Sequence, residues 1–311
     1  MALKVHFAAG AHLWPRYREP LAEALREIGI EAEIDDRCDE PAEIDYVILA
    51  NGGTVSDFSG YGRARAALNL WAGVEKIAPN PTLTMPLCRM VDEGLEKGMI
   101  EWVCGHVLRH HLGMDAHITA PAPHWNQHTP PLAQERKVTV LGLGELGRAC
   151  TGMLATLGFD VTGWSRRPRD VPGIRCLSGA DGLVEALRTA EILVTLLPLT
   201  DDTRDLLDAD RLALLPPGAV VINPGRGALI DDQALLAALD AGLLAHATLD
   251  VFRIEPLPAD HPFWAHPRVT VTPHVAAETR APTASRVIAE NIRRGEAGEP
   301  FLYLVDRAAG Y

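Results

Sequence analysis

The 311-residue chain is long enough for two domains of ordinary size, and 47% apolar residues suit buried cores. A net charge of −12 argues against nucleic acid or an anionic membrane as partner, so anionic ligands would need local arginines. No stretch approaches the roughly 18 apolar residues of a membrane span. The opening MALKVHFAAG has no signal-peptide pattern, and the scattered cysteines Cys38, Cys88, Cys104, Cys150 and Cys176 read as free thiols in a reducing, cytoplasmic setting.

Residues 1–98 read as a small α/β unit. Lys4–Ala8 is a strand. Pro20–Gly29 is a helix with Leu21, Ala24, Leu25 and Ile28 on one face and Gly29 as its stop. Glu31–Ile34 and Tyr46–Ala50 are strands, and Leu68–Val74 is another that ends in a glycine turn. Pro79, Pro81 and Pro86 mark an irregular crossing. Glu101–Asp115 reads as a long helix opening a second domain, followed by a loop over Pro121–Pro131. Strands then alternate with helices up to Pro273, at 138–141, 160–164, 192–196, 219–222, 246–249 and 269–272. This alternation predicts a parallel, doubly wound sheet with ligands at the carboxyl ends of its strands. Pro282–Arg294 is a last helix, and it and the tail LYLVDRAAGY are expected to return to the first domain. The expected division is therefore 1–98 plus 281–311 for a discontinuous substrate-binding domain and 99–280 for a dinucleotide-binding domain. Cys104, His106, His110 and His111 cluster on the long helix, and His124 and His128 flank a tryptophan. Neither group has a second ligand cluster at recognised spacing, so no metal is expected.

The richest stretch is 138–167, VTVLGLGELGRACTGMLATLGFDVTGWSRR. A β-branched strand runs into Gly142, Gly144 and Gly147, then a helix begins with Glu145 and Leu146, and a second strand follows. Strand, GxGxxG turn, helix and strand together predict a dinucleotide site. Gly142 permits the turn, Gly144 lets backbone approach a pyrophosphate, and Gly147 lets the helix pack on the sheet. The helix N-terminus offers unpaired N–H groups to phosphates. The second strand ends Trp164, Ser165, Arg166, Arg167, without the acid that would accept a ribose 2′-OH. Two guanidiniums and a hydroxyl suit a 2′-phosphate, so the expected cofactor is NADPH in preference to NADH.

Three later strand ends carry polar groups on the same sheet edge: Arg226 after VVINPG, Asp250 and Glu255 in DVFRIEP, and His274 after VTVTP. These segments, with the glycine turn, Trp71–Val74, LLPLT and the terminal VDRAAGY, resemble the D-isomer-specific 2-hydroxyacid dehydrogenase family over nearly the whole chain. Within it the chain is most similar to the branch that reduces glyoxylate and hydroxypyruvate. The resemblance implies two Rossmann-like or flavodoxin-like α/β domains with parallel, doubly wound sheets and a cleft between them. It implies that Arg226 grips the carboxylate and keto oxygen, a task suited to a permanently charged bidentate donor. His274 would donate the proton and Glu255 would pair with it, keeping the imidazolium loaded. Asp250 would hold the nicotinamide carboxamide, and Leu197 and Pro198 of LLPLT would line the cofactor with Trp164. Ala72 and Gly73 would bind the substrate carboxylate through backbone N–H groups, and Trp125 could reach a neighbouring subunit's site. The implied activity is NADPH-dependent reduction of glyoxylate to glycolate and hydroxypyruvate to D-glycerate by a homodimer. A reductase of a bulkier acid such as phenylpyruvate, and a non-catalytic dinucleotide sensor, are the alternatives.

Overall fold

Short buried strands alternate with amphipathic helices along the chain, as the apolar runs require. The computed structural model describes residues 2–118, 125 and 127–307. Part of the expected Pro121–Pro131 loop, including His124, and the tail end 308–311 lie outside the described residues. The elements run β1 (Leu3–Phe7), α1 (Trp14–Glu27), β2 (Ala32–Asp35), β3 (Tyr46–Leu49), β4 (Ala66–Asn69), β5 (Leu87–Cys88), α2 (Glu93–His111) and α3 (Asp115–Ile118). They continue β6 (Lys137–Leu141), α4 (Glu145–Thr156), β7 (Asp160–Ser165), β8 (Arg175–Ser178), α5 (Gly179–Thr189), β9 (Ile192–Thr195) and α6 (Ala209–Leu212). The rest are β10 (Ala219–Asn223), α7 (Asp232–Asp240), β11 (Leu244–Leu249), β12 (Val269–Val271) and α8 (Ala281–Ala297).

The chain forms two units, Met1–Leu95 with Glu278–Tyr311, and Glu96–Ala277. Both crossings fall three residues before those read from sequence, 98/99 and 280/281. The first unit is a five-stranded parallel sheet in the order β2-β1-β3-β4-β5, the flavodoxin-like arrangement. Tyr17, Leu21, Ala24 and Leu25 of α1 share one buried cluster with Ala284, Ile288 and Ile292 of α8. The tail closes on this unit, where the Val305 N–H donates to the Leu87 carbonyl at 2.8 Å. The second unit is a seven-stranded parallel sheet, β12-β11-β10-β9-β6-β7-β8. The α/β class with two parallel, doubly wound sheets is as expected. Among the described residues, no helix is long and apolar enough to cross a membrane.

Several boundaries differ from the sequence reading for physical reasons. Helix α1 begins at Trp14, not Pro20, because Tyr17 extends the apolar stripe one turn upstream and Pro20 is carried inside the helix. Helix α2 begins at Glu93, not Glu101, and ends at His111, not Asp115. Its early glycines are packing positions: a Cβ on Gly94 would lie 2.8 Å from the Thr283 hydroxyl. Asp92 caps the helix, accepting from the N–H groups of Gly94 (3.0 Å) and Leu95 (3.3 Å). Strand β4 is Ala66–Asn69; Trp71–Val74 is turn, not strand.

Candidate active site

Strand β6 pairs with β7 on one side and β9 on the other, so its carboxyl end is the switch point where open α/β sheets bind ligands. Gly142 follows it with φ +110°, and a Cβ there would lie 2.4 Å from the Leu196 carbonyl oxygen. A Cβ on Gly147 would lie 1.7 Å from the Gly142 oxygen, so the first turn of α4 packs directly on the loop. Gly144 differs. It is exposed, a Cβ would meet nothing within 4 Å, and it is the N-cap of α4 with no side-chain cap. That leaves backbone and open space at a helix N-terminus, which fits a pyrophosphate. Glu145 is occupied by Arg148 at 2.5 Å, and Leu146 is half-buried.

At the end of β7, Trp164 is buried and its indole N–H donates to the Gly179 carbonyl at 2.9 Å. It belongs to the apolar cluster of the second unit, together with Leu141, Leu183 and Leu197. Leu197 is likewise buried and Pro198 half-buried. The Ser165 hydroxyl donates to the Arg167 carbonyl at 2.7 Å. Arg166 and Arg167 are exposed, and the Arg166 guanidinium pairs with Asp202 at 2.8 Å. Asp202 escaped the sequence reading, since nothing in LLPLTDD ties it to a turn 36 residues earlier.

The reactive groups come from the ends of β10, β11 and β12. Asn223, buried at the end of β10, accepts from the Thr195 hydroxyl (2.6 Å) and the Gly225 N–H (3.1 Å) and donates to the Arg226 carbonyl (3.0 Å). One amide therefore folds the turn that presents Arg226. Gly227 seats that turn on the next loop, because a Cβ there would lie 2.1 Å from the Phe252 carbonyl carbon. Arg253 ties the same loop to the Ile230 carbonyl (2.5 Å), to Asp232 (3.5 Å) and to Asp205. Glu255 accepts the Phe252 N–H at 2.9 Å with one oxygen and meets His274 Nδ1 at 2.7 Å with the other. His274 Nε2 is left as the ring nitrogen for a substrate.

The pair is electrostatically biased toward imidazolium and carboxylate. The Glu255 hydrogen bond raises the His274 pKa above its usual value, aided by the charges of Glu255 and Asp250 and opposed by burial and Arg226. Burial pushes Glu255 upward, but the His274 bond, the Phe252 amide and the charges of His274 and Arg226 outweigh it, so Glu255 lies below the usual carboxylate range. Arg226 thus bears on both partners from its own loop.

Comparison with known proteins bears on this arrangement. The family profile of the D-isomer-specific 2-hydroxyacid dehydrogenase NAD-binding domain matches residues 104–276, more than half of the chain. The chain belongs to the D-isomer-specific 2-hydroxyacid dehydrogenase family. The matched span includes the glycine turn, Arg226, Glu255 and His274. A member from Serratia proteamaculans, glyoxylate/hydroxypyruvate reductase A, is 39% identical over 258 residues, 80% of this chain and 82% of that protein. A D-isomer-specific 2-hydroxyacid dehydrogenase from Xanthobacter autotrophicus, solved with NADPH and MES, superposes with TM-score 0.90 at 38% identity, covering 100% of this chain and 99% of that one. The NADPH-dependent glyoxylate/hydroxypyruvate reductase of Sinorhizobium meliloti, solved with NADP and sulfate, gives 0.87 at 33% identity and the same coverage.

Other residues expected from the family pattern fall as follows. Asp250 has no exposed surface, and its carboxylate accepts from the Thr272 hydroxyl (2.6 Å) and from the N–H groups of Val275 and Ala276 (2.9 Å each). These bonds tie the His274 loop to the end of β11. Ala72 and Gly73 are half-buried in a turn of the first unit. Asn69, unremarked in the sequence, organises that turn by donating to the carbonyls of Trp71 (2.8 Å) and Gly73 (3.1 Å). Trp125 is 94% exposed. The helix histidines have other partners: His110 bonds the Thr248 hydroxyl at 2.8 Å, and the His106 ring lies tilted against Trp102, centroids 4.3 Å apart. Among the described residues, no group of three or more His, Cys, Asp or Glu side chains could hold a metal ion.

Proposed function

We propose that this chain reduces small 2-keto acids with NADPH, taking glyoxylate to glycolate and hydroxypyruvate to D-glycerate. The observation that carries the reading is the 2.7 Å His274–Glu255 pair beside the Arg226 turn, on the sheet whose switch-point strand ends in the glycine turn. Bound NADPH supplies a hydride for the keto carbon. Arg226 orients the acid through its carboxylate and polarises the keto group. His274 Nε2–H delivers a proton to the oxygen that becomes the hydroxyl, while Nδ1 stays bonded to Glu255. Glu255 keeps that acid protonated near neutral pH. Ala72 and Gly73 are assigned to the same carboxylate on the family pattern.

The cofactor choice is supported by Arg166 and Arg167 at the end of β7, where an NAD site would carry an acid, and by relatives solved with NADPH or NADP. We assign a homodimer as the working form, with Trp125 as a side chain that a second copy would cover, and a cytoplasmic setting in which all five cysteines stay thiols. Light scattering on the purified protein reads the first directly, and a monomer would remove it. The test of function is steady-state oxidation of NADPH and NADH with glyoxylate, hydroxypyruvate, pyruvate and phenylpyruvate in turn. Fast NADPH oxidation with the first two is expected. Turnover confined to phenylpyruvate, or NADPH binding without turnover of any, would overturn it.

A further inference from the structure

His274 adopts φ +54°, in the left-handed region that few residues other than glycine enter. Its own N–H donates to the Asp250 carbonyl at 2.8 Å and is shared with the Thr272 carbonyl at 3.0 Å. The Asp250 carboxylate then gathers donors from both sides of the histidine: the Thr272 hydroxyl two residues before, and the N–H groups of Val275 and Ala276 after it. A carboxylate has about four acceptor positions, so this anion is nearly saturated by one short loop. Two of the three donors are backbone and belong to any sequence that folds this way. The Thr272 hydroxyl is the only side-chain donor of the three, and at 2.6 Å it makes the shortest of these bonds.

We infer that Thr272 is a positioning residue for His274, acting through the buried Asp250 carboxylate to hold the imidazole against Glu255. Thr272 begins the loop directly after β12, and its hydroxyl ties the strand end to the anion that fastens the other side of the histidine. Without it, a buried oxygen loses a donor and the loop keeps only its downstream fastenings. The ring is then held less firmly at the 2.7 Å contact with Glu255. The charged groups facing His274 are Glu255 and Asp250, which favour imidazolium, and Arg226, which opposes it. Because the Glu255 hydrogen bond is the largest of these influences, loosening it lowers the affinity of His274 for its proton.

The inference rests on the proposed proton-donor role, but its test does not need turnover. NMR titration of the His274 ring in the full chain, assigned by the signal missing from His274→Ala, is compared between wild type, Thr272→Val and Thr272→Ser. Thr272→Val is expected to titrate lower by about half a unit, a threefold change in the acid–base ratio, with Thr272→Ser restored to wild type. In turnover, kcat falls roughly tenfold or more in Thr272→Val, with its alkaline limit at lower pH and NADPH affinity kept. A merely structural role predicts a lower Tm with an unmoved titration, and that result overturns the inference, as does a serine variant that behaves like valine. If Thr272→Val does not fold, Thr272→Ala removes the hydroxyl without added bulk and carries the same comparison. A shifted titration in a wild type that reduces no keto acid would leave the positioning standing and sink the proposed function.

Discussion

Glu255 and His274 move each other's titration in opposite directions, and the signs decide what each controls. His274 is raised above its usual 6.5, so the contact's contribution is complete below that value and is lost as pH rises through the raised one. Glu255 is lowered from 4.5, so its contribution is present above that value and is lost as pH falls through the lowered one. On the proposed proton-donor role, reduction needs the imidazolium, so its rate should fail on the alkaline side. Glu255→Gln removes the charge, lets His274 fall toward its ordinary value and moves the alkaline limit of kcat to lower pH. A pH profile that stays in place would show that the pair does not set the histidine's acidity. His274→Ala is expected to cost about 10²–10⁴-fold in turnover with NADPH binding near wild type by fluorescence titration. Arg166 is a separate question at the same scale. Its exposed pairing with Asp202 holds little energy, so a 2′-phosphate can displace the carboxylate. Arg166→Asp should lower the NADPH-to-NADH ratio of kcat/KM by at least about tenfold, and an unchanged ratio removes Arg166 from the cofactor site. Arg226, Glu255 and His274 drew notice in the sequence because each lies in the loop after a strand, at the carboxyl ends of β10, β11 and β12. Thr272 and Asn223 were not: the Asp250 and Thr195 side chains they bond lie 22 and 28 residues away, and only the folded sheet makes them neighbours.

Elements were legible where the buried face has a period or a β-branched core. Strands β9 and β10 are continuous buried runs, β6 and β11 end in buried runs, and all four were found within a few residues of their ends. Strands β5 and β8 were missed. The first has two residues, and the second, Arg-Cys-Leu-Ser, is an edge strand without β-branched side chains. The first turns of α2 were not read as helix, and Gly94 and Gly98 lower the local helix propensity there. Packing overrode it: Gly94 approaches the first turn of α8, and Gly98 lies 3.6 Å, measured from its would-be Cβ, from Ala277. The same close approach makes a prediction for the loops that carry the site. Gly227→Ala places a methyl against the Phe252 backbone, where no flexible side chain can yield, so the Arg226 turn must lift from the loop that holds Glu255. The expected cost is about 1–3 kcal/mol of stability, seen as a lower Tm, together with a fall in kcat/KM and little change in NADPH affinity. Wild-type kinetics in Gly227→Ala would mean that the two loops are not geometrically coupled.

At the scale of the whole molecule, the four buried apolar clusters divide cleanly between the two units. Two lie within Met1–Leu95 and Glu278–Tyr311, and two within Glu96–Ala277. The second unit is one continuous segment with a complete seven-stranded sheet, both ends of the dinucleotide turn and all of Arg226, Glu255 and His274. The first is assembled from both ends of the chain, with α8 supplying the face on which α1 packs, so it cannot form until the last residues are present. The division therefore predicts that a fragment of residues 92–277, which keeps the Asp92 cap of α2, folds alone in one cooperative transition. NADPH at a hundredfold excess over its Kd would add about 2.7 kcal/mol, which for a unit of this size raises Tm by roughly 5–10 °C. NADH should raise it less, because the Arg166 and Arg167 end of β7 goes with the fragment. If Ala72 and Gly73 bind the substrate carboxylate as proposed, turnover of glyoxylate should nevertheless be lost. A fragment that unfolds without cooperativity would show that the second unit depends on the first, whereas one that reduced glyoxylate at the full-length rate would remove the first unit from substrate binding.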